Sequence, residues 1–566
     1  MTTQPSPSVG IDRHFVQIDG RNVHYLRGGE GPPLLLIHPS PYNATFWNAA
    51  MAQWGRHYTC IAPDSPGFGL SDPLSPEDMS VDGLTRAIGK LVTMLDLKEC
   101  RLVGSHTGAA IALELAVRHS DRFTGVALEA VPLFTATEQE EWFTDAYFSP
   151  LRVSEHGEHL TWAWTRVRDA DVYFPWLRRQ PSHFYNVGRG SAAKLHQDVI
   201  DYYECARHFR PAYRSAVGYA DQAVQSLAAL ELPALIYASS ADVMASHIDR
   251  LPPLKAGQRG VGLGTDAQEI IDTVNAALAS FGGGASPPDA LPFSPDPVHV
   301  AKRIVEVDGQ PVLVRQIGDA AAPGILLLHD APGSAATLEP LMRAMMPGAL
   351  VLAPDLPGCG SSAPLSEDAD LSAYAAWLDQ LCDTLGLATI AVHAVGFGAS
   401  LALAFQAHAP GRVTALSLDG LFAPEADERA DLLASYAPAI AVKDNGSHWY
   451  DLWLMLRDSL TMWPWYGRTA DHVRAFAEPC SPDQLHDWTV EVMKQFGSYH
   501  RLPNAALAQD IAPLLQATTV PVTLCDDPAH RFSVYRDKVQ VRTAARLAIT
   551  RDPAVDGPAL RAALIA

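Results

Sequence analysis

Residues 102–109 read LVGSHTGA. A short apolar run enters a turn bounded by Gly104 and Gly108, and a stretch with helical apolar spacing, AAIALELA, leaves it. Two side chains in this turn could do chemistry. The imidazole of His106, with an ordinary pKa of about 6.5, takes or gives a proton near neutral pH, and a carboxylate beside it would raise that pKa and fix its tautomer. The hydroxyl of Ser105 becomes a nucleophile only with a base next to it, a part His106 could play.

Such a turn needs a framework, and the rest of the chain supplies one. The sequence has 566 residues, 48% hydrophobic and 19% charged, more than one core can use. It also repeats itself. PPLLLIHPSPYNATFW near residue 32 returns as PGILLLHDAPGSAATL near 323, and IAPDSPGFGLSDP as LAPDLPGCGSSAP, at an offset close to 290. Between the copies lies a Gly/Pro/Ser stretch with the composition of a linker. The expected layout is a first domain over 1–281, a linker over 282–297 and a second domain over 298–566.

Within each half, short apolar strands such as LLLI, TCIAP, CRLVG and GVALEA alternate with amphipathic helices. That is the pattern of a mostly parallel sheet covered on both faces. Asp64, in the turn APDSPGFGLSD, reads as a turn-stabilising carboxylate. After GVALEA the strands stop for about a hundred residues rich in Trp, Tyr and His, then resume at ELPALIYASSAD. An insertion there sits where a lid would cover the carboxyl ends of the strands. The lids are expected at about 132–228 and 422–516.

The net charge of -21 argues against nucleic acid and anionic membrane surfaces as partners. The 7 scattered cysteines contain no C-x-x-C pair, which points to a reduced compartment and to no zinc site. With no evident signal peptide and no apolar run near the length of a membrane helix, a cytoplasmic location is expected. No cofactor or metal is implied, and a homo-oligomer is compatible with the sequence.

Through the HPSP and HDAP loops, the PDxPGxGxS turns, the glycine elbows and the lid positions, each half resembles an α/β-hydrolase-fold protein, and the resemblance covers nearly the whole chain. It implies two tandem α/β domains, each a mostly parallel sheet flanked by helices with a helical lid. In that family the elbow carries Ser, Cys or Asp at its centre, with an acid after the strand that follows the lid and a histidine near the last strand. Here the centre is His106 and the acid position holds Asp242. No histidine appears in KAGQRGVGLGTDAQEI. Glu129, at the end of GVALEA, is a second acid able to hold the ring, and the oxyanion donors carried over by position are the amides of Ser40 and Thr107.

In the second half the elbow is AVGFG, with Gly396 at the centre, and Asp526, Asp527 and His530 are the matches to the family's acid region. The lids share a G-x-H, a Trp, an Arg-Asp pair and a Pro-Trp: His159, Trp164, Arg168, Asp169, Pro175 and Trp176 in the first copy. These either pack a lid helix or line a pocket in which His38, His159, Arg168, Trp164 and Trp176 would meet a small-molecule substrate. The resemblance implies an enzyme acting on a small hydrophobic carbonyl compound through His106, with Asp242, Glu129 and Ser105 in support. Its reaction would be ester, lactone or carbon–carbon bond hydrolysis, or proton transfer such as decarboxylation. The rival is a non-catalytic ligand-binding or scaffolding module, which the glycine elbow favours for the second half.

Overall fold

The computed structural model describes residues 9–184, 190–284, 286–539 and 544–565. The chain divides into two compact units, Met1–Arg152 with Trp162–Ser294, and Val153–Thr161 with Pro295–Ala566. Each contains one eight-stranded sheet.

In the first unit the strands are β1 (Ile11–Ile18), β2 (Arg21–Gly28), β3 (Pro33–Ile37), β4 (Thr59–Pro63), β5 (Cys100–Ser105), β6 (Phe123–Glu129), β7 (Ala234–Ser239) and β8 (Gln258–Leu263). Their order is β1-β2-β4-β3-β5-β6-β7-β8. β1 and β2 are antiparallel, and β2 pairs antiparallel with β4. From β4 onward every pairing is parallel. The second unit has the same order in β9 (Ala301–Val307), β10 (Gln310–Ile317), β11 (Gly324–Leu328), β12 (Leu350–Pro354), β13 (Ile390–Val395), β14 (Val413–Asp419), β15 (Val522–Asp526) and β16 (Ala545–Ala548).

The central strands are apolar on both faces because helices cover both faces. Leu34, Leu35, Leu36 and Ile37 of β3 are all fully buried. The helix Thr107–Arg118 lies against the sheet through small residues, Gly108, Ala109, Ala110 and Ala112, and buries Ile111, Leu113 and Leu115 as well. Removing a side chain such as Leu113 would cost about 2–5 kcal/mol.

Asp64 ties the turn after β4 to its surroundings. It accepts the amides of Ala44 at 2.7 Å and Leu70 at 2.8 Å, and pairs with His24 Nδ1 at 2.8 Å. Asp355 repeats this in the second unit, on the amides of Ala335 and Ser361 and on Arg315. Asp64 is therefore a turn-stabilising carboxylate.

Between β6 and β7 come the helices Ala136–Trp142, Glu158–Ala170, Ala192–Cys205, Phe209–Val217 and Ala220–Ala229. The second unit has a corresponding helical insertion between β14 and β15. The division at Ser294/Pro295 lies inside the expected linker, whose described residues 282–284 and 286–297 form no helix or strand; residue 285 lies outside the described residues. Residues 153–161, expected in the first domain, group with the second unit. Limited proteolysis should nick the chain first between 282 and 297, where few contacts protect the backbone. Mass spectrometry of the earliest fragments checks this, and early cuts inside either sheet would move the boundary.

Candidate active site

Strand β5 ends at Ser105 and the next helix starts at Thr107, so residue 106 alone makes the turn. Its backbone is at φ 53°, ψ -113°. That conformation costs a residue with a Cβ roughly 1–3 kcal/mol. The His106 amide donates to Glu129 O at 2.9 Å, and its carbonyl accepts from Ala109 N at 2.9 Å, which ties the turn to β6 and to the helix. Gly108 is demanded by contact, since a Cβ there would lie 2.2 Å from the Ile37 carbonyl oxygen.

His106 Nε2 lies 2.8 Å from Asp242 Oδ2. Asp242 Oδ1 is held in turn by the Met244 amide at 2.8 Å. An ionised carboxylate can only accept, so Nε2 carries the hydrogen and the neutral ring keeps its lone pair on Nδ1. No described residue hydrogen-bonds Nδ1. Burial lowers the His106 pKa, but the charge and hydrogen bond of Asp242, reinforced by the charge of Glu129, outweigh it and hold the ring above its ordinary 6.5. Burial acts on Asp242 as well, yet His106 and the Met244 amide bring its carboxyl below the ordinary value. Glu129 goes up, because burial outweighs the pull of His106.

Two backbone donors lie beside the ring. Among the described residues neither the Ser40 nor the Thr107 amide has an acceptor. Ser40, His106 and Thr107 share a cavity whose apolar wall includes Phe134, Val243 and Met244, with Phe174, Tyr213 and Val217 coming from the helical insertion. Its free volume is about 30 Å³, room for roughly two water molecules. Among the described residues no group of three or more His, Cys, Asp or Glu side chains could hold a metal ion, and no helix is long and apolar enough to cross a membrane.

The other expected residues have different places. Ser105 is 1% exposed, and its hydroxyl completes no hydrogen bond of ordinary geometry, although it helps to hold the Glu129 carboxylate ionised. His38, expected to touch substrate, braces two loops instead. Its Nδ1 donates to Pro39 O at 2.9 Å, and its Nε2 accepts from Ser65 N at 2.9 Å. His159 lies in the second unit, buried against Trp453 and His486, its pKa pushed down to about 4 by burial. Its Nδ1 accepts from Ser154 N at 3.3 Å, as His448 Nδ1 accepts from Lys443 N at 3.3 Å, so the shared G-x-H braces the entry to a helix. Arg168 is half-exposed and pairs with its neighbour Asp169 at 3.5 Å. Trp164 is buried outside the cavity wall, and Trp176 is buried beneath Arg166, a residue the sequence comparison passed over.

The family model described as alpha/beta hydrolase fold matches residues 32–253 and 323–437, more than half of the sequence. The chain belongs to the α/β hydrolase fold family. The chain is 35% identical over 116 residues to haloalkane dehalogenase 2 of Mycobacterium tuberculosis, a match covering 20% of this chain and 40% of that protein. It is 33% identical over 116 residues to epoxide hydrolase 3 of Xenopus tropicalis, covering 20% and 32%. The chain thus spans about two fifths of the length of the first of these relatives. Among solved structures, an epoxide hydrolase from an endophytic Streptomyces is 20% identical with a TM-score of 0.39, covering 48% of this chain and 95% of that one.

The second α/β-hydrolase domain keeps the turn and fills the site. Gly396 has φ 58°, ψ -122°, nearly the values at residue 106. Where the first domain has Pro39, this one has Asp330. Asp330 Oδ1 accepts both amides that match the free pair, Ala331 N at 2.8 Å and Phe397 N at 3.0 Å. Its Oδ2 pairs with Arg531 at 2.5 Å. A Cβ on Gly396 would lie 2.1 Å from Asp330 Oδ1, so glycine is the residue that admits this carboxylate. Around it, Asp527 pairs with Arg551 at 2.6 Å and Glu478 with Arg551 at 3.1 Å, while Arg474 lies 3.9 Å from Glu478. Burial and the charge of Asp527 push Asp419 up to about 8. Asp330, Glu478 and Asp527 thus stand among three arginines, Arg474, Arg531 and Arg551.

Two measurements follow from these sites. Gly396→Ala should destabilise the second domain by roughly 2 kcal/mol or more, through the collision with Asp330 and the positive φ, and urea unfolding should show it. An NMR titration of the His106 ring should give a midpoint above 6.5 that falls in Asp242→Asn. With its folded pKa raised, the ring's contribution to stability is complete below pH 6.5 and is lost as pH rises through the folded value. Asp242, with its folded pKa lowered, loses its contribution as pH falls through that value.

Proposed function

We propose that the first domain is an enzyme acting on a small hydrophobic carbonyl compound, with His106 as its proton-transfer group. One observation carries this reading. The His106 ring is held by Asp242 through Nε2 at 2.8 Å, which leaves Nδ1 free beside the unoccupied amides of Ser40 and Thr107. A carbonyl oxygen accepting those two amides would gain stabilisation as it took on negative charge. Nδ1 would then face the carbonyl carbon, or a water beside it, as a base. Asp242 stabilises the imidazolium that forms, and Glu129 adds a second negative charge nearby.

Two chemistries fit this arrangement: hydrolysis of an ester, lactone or carbon–carbon bond by an activated water, and removal or delivery of a proton next to the carbonyl. Relatives named for haloalkanes and epoxides support a small, apolar substrate. The phenylalanine and valine walls of the cavity support the same apolar class. The insertion over it would serve as the lid.

The second domain favours a different role. Its two amides already hold an internal carboxylate, so it has no place for a substrate oxyanion, and we assign it a structural or binding role.

The test is a screen of short-chain esters and lactones against the full chain. His106→Ala should lower turnover by about 100-fold or more with the fold intact, while Ser105→Ala should change it far less. The rate should rise with pH through the His106 ionisation, because the base form is the working one. Unchanged turnover in His106→Ala would remove the proposal. Ligand binding altered by that substitution, with nothing consumed by either protein, would establish the binding-module reading instead.

A further inference from the structure

Arg166, midway along the helix Glu158–Ala170, is only 5% exposed. Among the described residues of the first unit it has neither a counter-ion nor a hydrogen-bond acceptor. Its guanidinium carbon lies 4.5 Å from the centre of the Tyr202 ring, 5.5 Å from Trp176 and 5.7 Å from Phe209. Ring faces recover part of the desolvation cost of a cation, but they do not replace a carboxylate. Two further donors stand unused at the same place: Trp176 Nε1 and Tyr202 Oη are buried with no hydrogen-bond partner. Three donors with no acceptor form an incomplete site.

The second domain is an internal comparison. Aligned on the shared G-x-H and Arg-Asp pair, Arg166 corresponds to Met455, which is buried at 6% exposure. Trp176 corresponds to Trp465, whose Nε1 donates to Tyr436 O at 2.8 Å. Tyr202, aligned on Leu-His at 195–196 and 485–486, corresponds to Val492. The fold accepts an apolar chain at the Arg166 and Tyr202 positions and finds an acceptor for the indole at the third, so the buried charge is not a folding requirement. It is an addition peculiar to the first domain.

We infer that Arg166, with the Trp176 N–H and the Tyr202 O–H, is a receptor for the carboxylate of a small organic acid, and that the substrate of the His106 cavity carries this group. The second half of that statement rests on the proposed role of His106; the carboxylate site itself does not. One buried cation with two neutral donors matches a single negative charge, and the planar guanidinium fork matches a planar carboxylate. A phosphate dianion would be left with uncompensated charge. The site adjoins the cavity through Tyr213, which lines the wall beside His106 and packs on Phe209 with ring centres 6.1 Å apart. Burial raises the Tyr213 pKa, and the Arg166 charge acts against that rise, which places the guanidinium within electrostatic reach of the cavity wall.

Titration calorimetry on the full chain, with sodium cyclohexanecarboxylate as probe and cyclohexanecarboxamide as its neutral counterpart, tests the site. The carboxylate should bind saturably, and the amide should bind about 10-fold or more weakly, the scale of a charge-assisted hydrogen-bond pair. Arg166→Met, the residue the second domain uses, should lose about 10-fold or more, with Arg166→Lys between the two. His106→Ala should bind the carboxylate within about twofold of the native protein, so failure of the proposed base leaves the anion site standing. No saturable heat up to about 50 mM probe would overturn the proposal. So would equal affinity in Arg166→Met, equal binding of the amide, or loss of binding in His106→Ala. Should Arg166→Met not fold by circular dichroism, Tyr202→Phe replaces it with an expected loss of about threefold or more, and an unchanged affinity there overturns the inference as well.

Discussion

One residue in each domain is held at a backbone angle that few side chains adopt, and the geometry of both sites is measured from it. At His106 and at Gly396 the amide is pinned to the end of the neighbouring strand, by Glu129 O at 2.9 Å and by Asp419 O at 2.8 Å. The following helix is almost wholly buried in both copies, so neither strand nor helix can shift to relieve the turn. Strain of this kind persists only where packing over-determines it. It fixes where the side chain at position 106 must point and which two amides lie beside it. Glycine at 396 adopts that angle without strain, whereas His106 does so at a cost in stability.

The duplication shows two outcomes of one design. The loop after β3 in the first copy reads HPSP, and Pro39 brings no charge near the two amides. After β11 it reads HDAP, and Asp330 turns its carboxylate onto both. Two free amides that converge call for an acceptor, because the cost of leaving buried donors unpaired is high. In the second domain the chain supplies that acceptor itself, and although burial pushes the Asp330 carboxyl up, Arg531 and the two amides act against the rise. In the first domain the same demand is left for a molecule from outside.

Much of this was legible in the residues. The repeat, the parallel sheets, the elbow and the pairing of His106 with an acid at 242 follow from apolar runs, glycine spacing and a resemblance carried by short motifs. The turn carboxylate Asp64 was legible too, since PDxPGxG leaves several amides for it to accept. The roles of His38 and His159 were not. Both are histidines near a suggestive loop, and only the fold shows that their ring nitrogens are already used, on Pro39 and Ser65 in one case and on Ser154 and His486 in the other. Arg166 was missed for the opposite reason. The lid comparison favoured residues that both copies share, and Arg166 differs from its counterpart Met455. The contrast between Pro39 and Asp330 stood in the quoted loops, yet it has meaning only once the distance to the amides is known.

The filled site of the second domain has a consequence for which substitutions it can accept. A reactive side chain placed at residue 396 collides with Asp330, because a Cβ there already falls 2.1 Å from the carboxylate oxygen. Removing Asp330 first leaves Arg531, 3% exposed, without its ion pair and leaves the two amides bare. Every single step back toward an open site is therefore downhill in stability, and only a joint change of Asp330, Gly396 and Arg531 avoids the penalty. The copy with glycine at its elbow has a one-way gate in its sequence space, so its site cannot easily be opened to match that of the first copy.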